Sequence, residues 1–314
     1  MVHFWKVSNM IKGALTFVPL VNSWRRNRAS THGSDSSRYC YSVWLRHLVA
    51  LSRLGFSIKG ARIGELGPGD SIGIGLASLL SGAEQYVGLD IFPFSAKANL
   101  EIIFSELVNL YMEKTPIPDQ NEFPWIRPRI DSYAFPVHLI DIEDSGLRVS
   151  KIREELMGGD IGKGAYVTYQ APWNSRSDIA ENSLDLVFSQ AVLEHVDNLT
   201  ETYEAMFTWL KPGGYASHVI DFRAHHLSPY WNGHWAYSDW EWQIVRGKRE
   251  FLLNRYSVSM HLDSARAAGF EVLSSQYNEK PGGLPSSALS DRYRALSESD
   301  LKTSGAVLIL QKPV

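Results

Sequence analysis

Ala61-Arg-Ile-Gly-Glu65-Leu-Gly67-Pro-Gly69-Asp70 is the stretch that decides the fold of this chain. A short apolar run ends in an acidic residue, and two glycines follow with one residue between them. Asp70 is then placed to cap a helix whose apolar positions Ile72, Leu76, Leu79 and Leu80 recur at helical spacing. A second apolar run, Tyr86-Val-Gly-Leu-Asp90, ends in another acidic residue about twenty positions further on. Strand, glycine turn, helix and strand in this order make a unit that seats a nucleoside. The glycines admit a ligand that a Cβ would push away. Asp90, at the tip of the second strand, is placed to take the two ribose hydroxyls.

The loop also says which nucleoside ligand suits it. A dinucleotide unit uses G-x-G-x-x-G and holds a pyrophosphate at the helix N-terminus. Here the third position after Gly69 is Ile72, and the next glycine is Gly73. Glu65 stands just before the loop, where a carboxylate would repel a phosphate. S-adenosylmethionine carries no phosphate, and its sulfonium and ammonium groups are positive. The E-x-G-x-G pattern therefore resembles motif I of class I S-adenosylmethionine-dependent methyltransferases.

The second half of the chain strengthens that resemblance. Asn182-Ser-Leu-Asp-Leu-Val-Phe-Ser-Gln-Ala-Val-Leu-Glu-His-Val, followed by Leu210-Lys-Pro-Gly-Gly-Tyr, is similar to the region after the first motifs in small-molecule members of that class. Ala165 to Tyr169 and Ser183 to Phe188 read as strands, the latter of the buried parallel type. Apolar or aromatic residues at 192, 196, 199, 203, 206 and 210 fall on one helical face, which puts His195 one turn into a helix. That helix stops at Lys211-Pro-Gly-Gly214. Tyr215 to Ile220 is the next strand. Ser257 to Ala268 is a helix, and Phe270 to Ser275 and Ala306 to Leu310 are the last strands.

The resemblance implies an α/β, Rossmann-like sheet of seven strands, mostly parallel, with an antiparallel last strand and helices on both faces. It implies residues 61–314 as the methyltransferase domain, after an N-terminal helical extension over 1–60. Tyr39 to Leu54 supplies an amphipathic helix there, with Tyr41, Trp44, Leu45, Leu48 and Val49 on its stripe. Lys97 to Tyr111 is a further helix. Residues 115–136 then carry five prolines (Pro116, Pro118, Pro124, Pro128 and Pro136) without a clean period. The next strand comes too late for a simple alternating unit. Residues 112–160 are therefore an insertion, irregular and helical, with a helix over Leu147 to Leu156.

Carried over by position, Glu65, Gly67 and Gly69 line the methionine and ribose side of the cofactor. Asp90 holds the ribose diol, and Ile91 packs on the adenine. Gln170 and Ala171 meet the adenine edge, where the family often has an acidic residue. Ser189 and Gln190 lie beside the sulfonium. The acceptor side falls after Ile220. Residues 218–261 contain His218, His225, His226, His234 and His261, half of the chain's 10 histidines, and four of its 10 tryptophans. Residues 222–256 read as a substrate cap whose rings stack on a sugar or aromatic acceptor. His218, His225, His226, His234 and Asp221 are the candidates for removing a hydroxyl proton. His195 suits a packing role. No zinc-type spacing is present, and no metal is expected.

Charged residues make up 21% and the formal net charge is −3, which excludes a general nucleic-acid binder. The single cysteine, Cys40, permits no internal disulfide and fits a reducing, cytoplasmic setting. Met10 to Val21 is apolar but too short to span a bilayer. With the basic flank Trp24-Arg-Arg-Asn-Arg28, residues 10–28 offer either a helix packed on the domain or a peripheral membrane contact. The reading that follows is methyl transfer to a small hydroxylated acceptor, first a sugar or glycan precursor. The resemblance extends to chains of bacterial surface-polysaccharide pathways. The alternatives are a lipid or quinone methyltransferase at a membrane surface, and a non-catalytic S-adenosylmethionine-binding interaction protein. The sequence sets no oligomeric state.

Overall fold

The apolar run around Ile63 forms β1 (Arg62–Leu66), the middle of a seven-stranded sheet in the computed structural model. The structure describes residues 4–18, 33–93, 98–140, 145–158, 164–173, 176–249 and 252–314. On one side β1 pairs in parallel with β2 (Gln85–Leu89), and β2 with β3 (Val167–Gln170). On the other side it pairs in parallel with β4 (Leu184–Gln190), and β4 with β5 (Leu210–Asp221). An antiparallel strand, β7 (Thr303–Gln311), follows β5, and β6 (Glu271–Glu279) closes the edge antiparallel to β7. The order is β3-β2-β1-β4-β5-β7-β6. The chain runs outward from β1 on one side and returns through β4 on the other. Such a reversal opens a crevice at the carboxyl ends of β1 and β4.

Both faces of the sheet are covered. Helix α2 (Ser37–Ser52), α3 (Gly73–Leu80) and α4 (Leu100–Met112) pack on one face, joining Trp44, Leu48, Leu76 and Phe104 to Ile63, Leu186 and Phe188. Helix α6 (Leu199–Trp209) and α8 (Val258–Ala267) pack on the other, joining Tyr203, Met206 and Ala265 to Val187, Ala216 and Leu308. Each large apolar side chain buried this way contributes about 1.5–3 kcal/mol.

Local chemistry moves several boundaries from their expected places. Asp70 does not cap α3, which begins three residues later with Ile72 at its N-cap and no side-chain bond there. Ser71 Oγ instead accepts from the Gly73 N–H at 3.0 Å. Helix α4 starts at Leu100 because Asn99 caps it, accepting from the Ile102 N–H at 3.2 Å; Lys97 lies outside the described residues. His195 is not inside a helix. It ends a 3-10 turn (Leu193–His195), and α6 starts only after Asn198, whose side chain accepts from the Glu201 N–H.

The 112–160 insertion is irregular from 113 to 136 and ends in α5 (Ser145–Met157). Its irregular part is tied along α2. Ser42 Oγ donates to the Pro118 carbonyl, and Arg46 donates to the carbonyls of Pro118 and Ile126. The N-terminal helix α1 (Phe4–Ala14) packs elsewhere, on α7 (Asp239–Arg246) of the cap. Lys6 pairs with Glu241 at 3.0 Å, and a Cβ on Gly13 would come 2.0 Å from the Ile244 carbonyl oxygen. The basic flank at 24–28 lies outside the described residues.

Candidate active site

The glycine turn after β1 is held open by backbone that favours glycine. Gly67 has φ +62° and Gly69 has φ +74°. A Cβ on Gly67 would lie 2.7 Å from a Val192 methyl. The Gly69 N–H donates to Asp90 Oδ2 at 3.1 Å, and the Ile91 N–H donates to Asp90 Oδ1 at 2.7 Å. Asp90 therefore sits at the end of β2 with its orientation fixed, and a carboxylate still has lone pairs for two hydroxyl donors. Burial pushes the Asp90 carboxyl up to about 6, with the Ile91 and Gly69 N–H groups pulling against the rise. Ile91, more than one-third exposed, stands at the rim.

Glu65 is buried at the end of β1 and accepts from the Tyr86 hydroxyl at 2.7 Å. Burial pushes its carboxyl up to about 8; the Tyr86 bond opposes the rise and the Asp90 charge adds to it. Tyr86 and Gly75 were not singled out from the sequence. Tyr86 reads there as one more apolar strand position. It reaches Glu65 only because Gly75 leaves room: a Cβ at Gly75 would come 2.2 Å from the Tyr86 ring. Two buried carboxyl groups flank a turn whose two glycines leave the backbone open around Pro68, and these acceptors fit a ligand with a diol and a positive charge. Such a ligand supplies a reactive sulfonium methyl when it is S-adenosylmethionine.

Both carboxyl groups are held protonated more readily than in an unfolded chain, so the ligand-free fold loses stability as pH rises from about 4.5 through about 8. The ammonium group and the ribose diol, which S-adenosylmethionine and S-adenosylhomocysteine share, are both held best by the ionised forms. We expect S-adenosylhomocysteine affinity to rise from pH 5 to pH 8, and its binding enthalpy near pH 7 to depend on the buffer as protons are released. Glu65→Gln removes the upper part of that rise and raises the melting temperature at pH 8. A flat affinity profile in calorimetry would contradict this coupling.

The end of β4 divides its two expected residues. Gln190 is half-buried at the crevice, with Oε1 3.2 Å from His47 Nε2. His47 Nδ1 lies 2.8 Å from Ser217 Oγ, and burial lowers the imidazole to about 4. His47 is thus neutral, donating from Nε2 and accepting at Nδ1. Ser189 is fully buried and its hydroxyl is on His218 Nδ1 at 2.8 Å. Its side chain therefore does not line the crevice. At the end of β3, Gln170 is half-buried, and its carbonyl accepts from the Asp90 N–H at 3.0 Å; Ala171 follows at the same edge.

The acceptor candidates separate by burial. His218 is fully buried beneath Tyr203, and burial lowers it to about 3. His234 is buried against Trp235, and burial, with the Arg255 charge, also lowers it to about 3. Neither can meet an acceptor from solvent, which corrects the expectation for both. His226 is exposed, with φ +66° and no bond to Asp221 among those described. Asp221 and His225 do come together, with Nε2 3.0 Å from Oδ2. Arg223 donates to both Asp221 oxygens, at 2.8 Å and 2.6 Å. Burial alone would raise the Asp221 carboxyl, but the His225 and Arg223 bonds and charges hold it well below the usual carboxylate range. His225 is about one-third exposed and its ring lies 5.5 Å from that of His195. Glu194, which directly precedes His195 in the chain, is buried with no hydrogen-bond partner on either oxygen among the described residues, and burial pushes it up.

The cap rings were expected to face an acceptor. Trp231 and Trp235 instead pack with Leu284, Leu289 and Tyr293, and Trp242 packs with Tyr237 and Leu253. They are the cap's own core, shared with Trp5 of α1. Trp125 of the insertion, exposed and 5.9 Å from the Arg223 guanidinium, is the ring beside the Asp221–His225 pair.

Residues 130–217, which contain β3, β4 and the start of β5, match the family model described as a methyltransferase domain. The match does not reach back to the Glu65–Gly69 turn. No curated protein matches the chain in sequence. Among solved structures, it is similar to an S-adenosylmethionine-dependent methyltransferase from Mesorhizobium loti, at 14% identity over 83% of this chain and 95% of that one, TM-score 0.43. A putative sarcosine dimethylglycine methyltransferase from Galdieria sulphuraria is 13% identical over 85% and 84%, TM-score 0.45. Phosphoethanolamine N-methyltransferase 2 of Haemonchus contortus, solved with S-adenosyl-L-methionine, is 15% identical over 86% and 53%, TM-score 0.43.

Proposed function

We propose that this chain, an S-adenosylmethionine-dependent methyltransferase, moves the sulfonium methyl onto a hydroxyl oxygen of a small acceptor, first a sugar or glycan precursor. The observation that carries the reading is the Asp221–His225 pair at the carboxyl end of β5, next to the β4 end. Asp221 fixes the His225 tautomer by accepting from Nε2–H, which leaves the Nδ1 lone pair for the acceptor. Bound at the turn, S-adenosylmethionine would supply the methyl carbon and keep the electron pair of the broken carbon–sulfur bond as a neutral thioether, and His225 Nδ1 would take the hydroxyl proton as the new oxygen–carbon bond forms. Arg223 keeps Asp221 ionised throughout. Glu65, Gly67, Gly69, Asp90, Ile91, Gln170, Ala171 and Gln190 surround the cofactor in this account, and the Ser189 side chain stays behind the strand on His218. A sugar suits the exposed Trp125 ring beside Arg223, on which a flat apolar face can stack. The test is transfer of labelled methyl from S-adenosylmethionine to panels of sugars, phenols, amines and thiols. Labelling confined to amines or thiols would overturn O-methylation.

A second reading, a lipid or quinone acceptor met at a membrane surface, is favoured by α1. Phe4, Val7, Ile11 and Leu15 recur on one helical face and are all exposed, and Phe17 and Val18 continue the patch. The first 34 residues include Lys6, Lys12, Arg25, Arg26 and Arg28 and no acidic residue. An apolar stripe with basic flanks suits an anionic bilayer surface. No helix among the described residues is long and apolar enough to cross a membrane. Vesicles of phosphatidylcholine with about one-third phosphatidylglycerol should sediment the protein, and Phe4→Ser with Ile11→Ser should abolish this. Equal sedimentation of wild type and variant would remove the membrane reading.

A further inference from the structure

The insertion brings Arg127 and Arg129 to the acceptor side with no ion-pair partner among the described residues, next to Arg223, which is already paired with Asp221. Arg46 on α2 is fully buried, and its guanidinium donates to Ser42 Oγ and to the carbonyls of Pro118 and Ile126. Arg127 Nη1 donates to the same Ile126 carbonyl, at 3.0 Å against 2.9 Å from Arg46. Two guanidinium groups therefore meet on one oxygen. Three acidic side chains of this segment are engaged elsewhere: Asp119 with Asn121, Glu122 with Arg38, and Asp131 with Arg53. Asp119 is near enough to favour the Arg46 charge, yet its oxygens face Asn121.

The cluster points at the reacting end of the sheet. Arg127 Nε donates to Asn278 Oδ1 on β6 at 3.0 Å. Asn278 pairs with Gly305 on β7, and Gly305 pairs with Asp221 on β5. Neighbouring strands are about 4.8 Å apart, so Asn278 and Asp221 are separated by about 10 Å across a residue without a side chain. Arg223 is paired with Asp221 and lies beside Trp125, two residues before Arg127 on the insertion. Arg129, exposed on the same segment, acts electrostatically on both Arg46 and Arg127.

We infer that Arg127, Arg129 and Arg223 form a subsite for an anionic group of the methyl acceptor, a phosphate or a carboxylate. The inference rests on the O-methylation reading and names the class of acceptor for it. Burial, and then the charges of Arg129, Arg46 and Arg223, depress the Arg127 guanidinium, and a bound anion relieves this repulsion. Planar guanidinium forks match carboxylate and phosphate oxygens. Asp221 offsets only Arg223, so a neutral sugar would leave Arg127 and Arg129 uncompensated.

Calorimetry with the full chain and saturating S-adenosylhomocysteine tests the subsite, using glucose 6-phosphate, glucuronate and glucose as probes. One or both anions should bind and glucose should not; which anion binds separates phosphate from carboxylate. Arg129→Gln, at an exposed position, should weaken the anion roughly tenfold, and Arg127→Gln with Arg129→Gln should weaken it further. S-adenosylhomocysteine binding should be unchanged in both. No binding of either anion, equal binding of glucose, or anion binding that survives both substitutions would overturn the subsite. Methyl transfer to neutral hydroxyl acceptors at full rate in the double variant would remove the subsite and leave O-methylation standing. Anion binding lost in the variants, with no hydroxyl acceptor methylated by wild type, would do the reverse.

Discussion

Replacing Asp90 by Ala should weaken S-adenosylhomocysteine binding roughly a hundredfold, about 3 kcal/mol. Asp90 is the buried carboxylate at the β2 tip, and on the proposed reading its remaining lone pairs take the ribose diol. Each hydrogen bond to a charged group contributes about 1.5–3 kcal/mol, so loss of two exceeds the effect of any one neutral contact. Asp90 also accepts from the Gly69 and Ile91 N–H groups, so the substitution loosens the turn as well as removing the acceptor. Asp90→Asn separates these effects, because its single carbonyl oxygen keeps one acceptor in the same shape. It should bind more weakly than wild type and more tightly than Asp90→Ala. Calorimetry reads both, with thermal melting as the check on folding. Wild-type affinity in Asp90→Ala would mean that the diol is held elsewhere.

His225→Ala should lower kcat by roughly 10²–10⁴-fold, the range for loss of a positioned general base. S-adenosylhomocysteine affinity should not change, because His225 lies at the β5 end and not on the glycine turn. Asp221→Asn should give a similar loss for a different reason. An amide can donate to the imidazole where the carboxylate only accepts, so the tautomer that leaves Nδ1 free is no longer enforced. His218→Ala and His234→Ala remove buried rings, and their first effect is on stability, as cavities in the core. Initial rates and melting curves measured together distinguish the two classes. Full activity in His225→Ala would remove it as the base.

Much of the cofactor half was legible in the sequence because its chemistry is local. Glu65, Gly67 and Gly69 alternate with single residues between them, and the turn between strand and helix needs glycine whatever surrounds it. Asp90 follows an apolar run of strand length, so its place at a strand tip follows from length alone. The acceptor half depends on contacts between distant positions. Apolar spacing from Val192 through Leu210 continues unbroken across the Asn198 cap, so the 3-10 turn at His195 is hidden within it. A tryptophan that forms a core and one that stacks on a sugar look alike in sequence. Trp231, Trp235 and Trp242 found partners in α1 and in residues 284–293, far away in the chain. His218 is decided by which face of β5 it takes, and α6 covers that face. Arg46 and Arg127, 81 residues apart in numbering, meet only because the irregular insertion lies along α2.

The fold, the matched methyltransferase domain and the two carboxyl groups at the turn all converge on one ligand choice. Parallel calorimetric titrations of the wild-type chain with S-adenosylhomocysteine and with NAD test that choice most directly. The predicted result is saturable binding of S-adenosylhomocysteine, tightening from pH 5 to pH 8, with no heat from NAD. Binding of NAD without binding of S-adenosylhomocysteine would contradict the account at its centre.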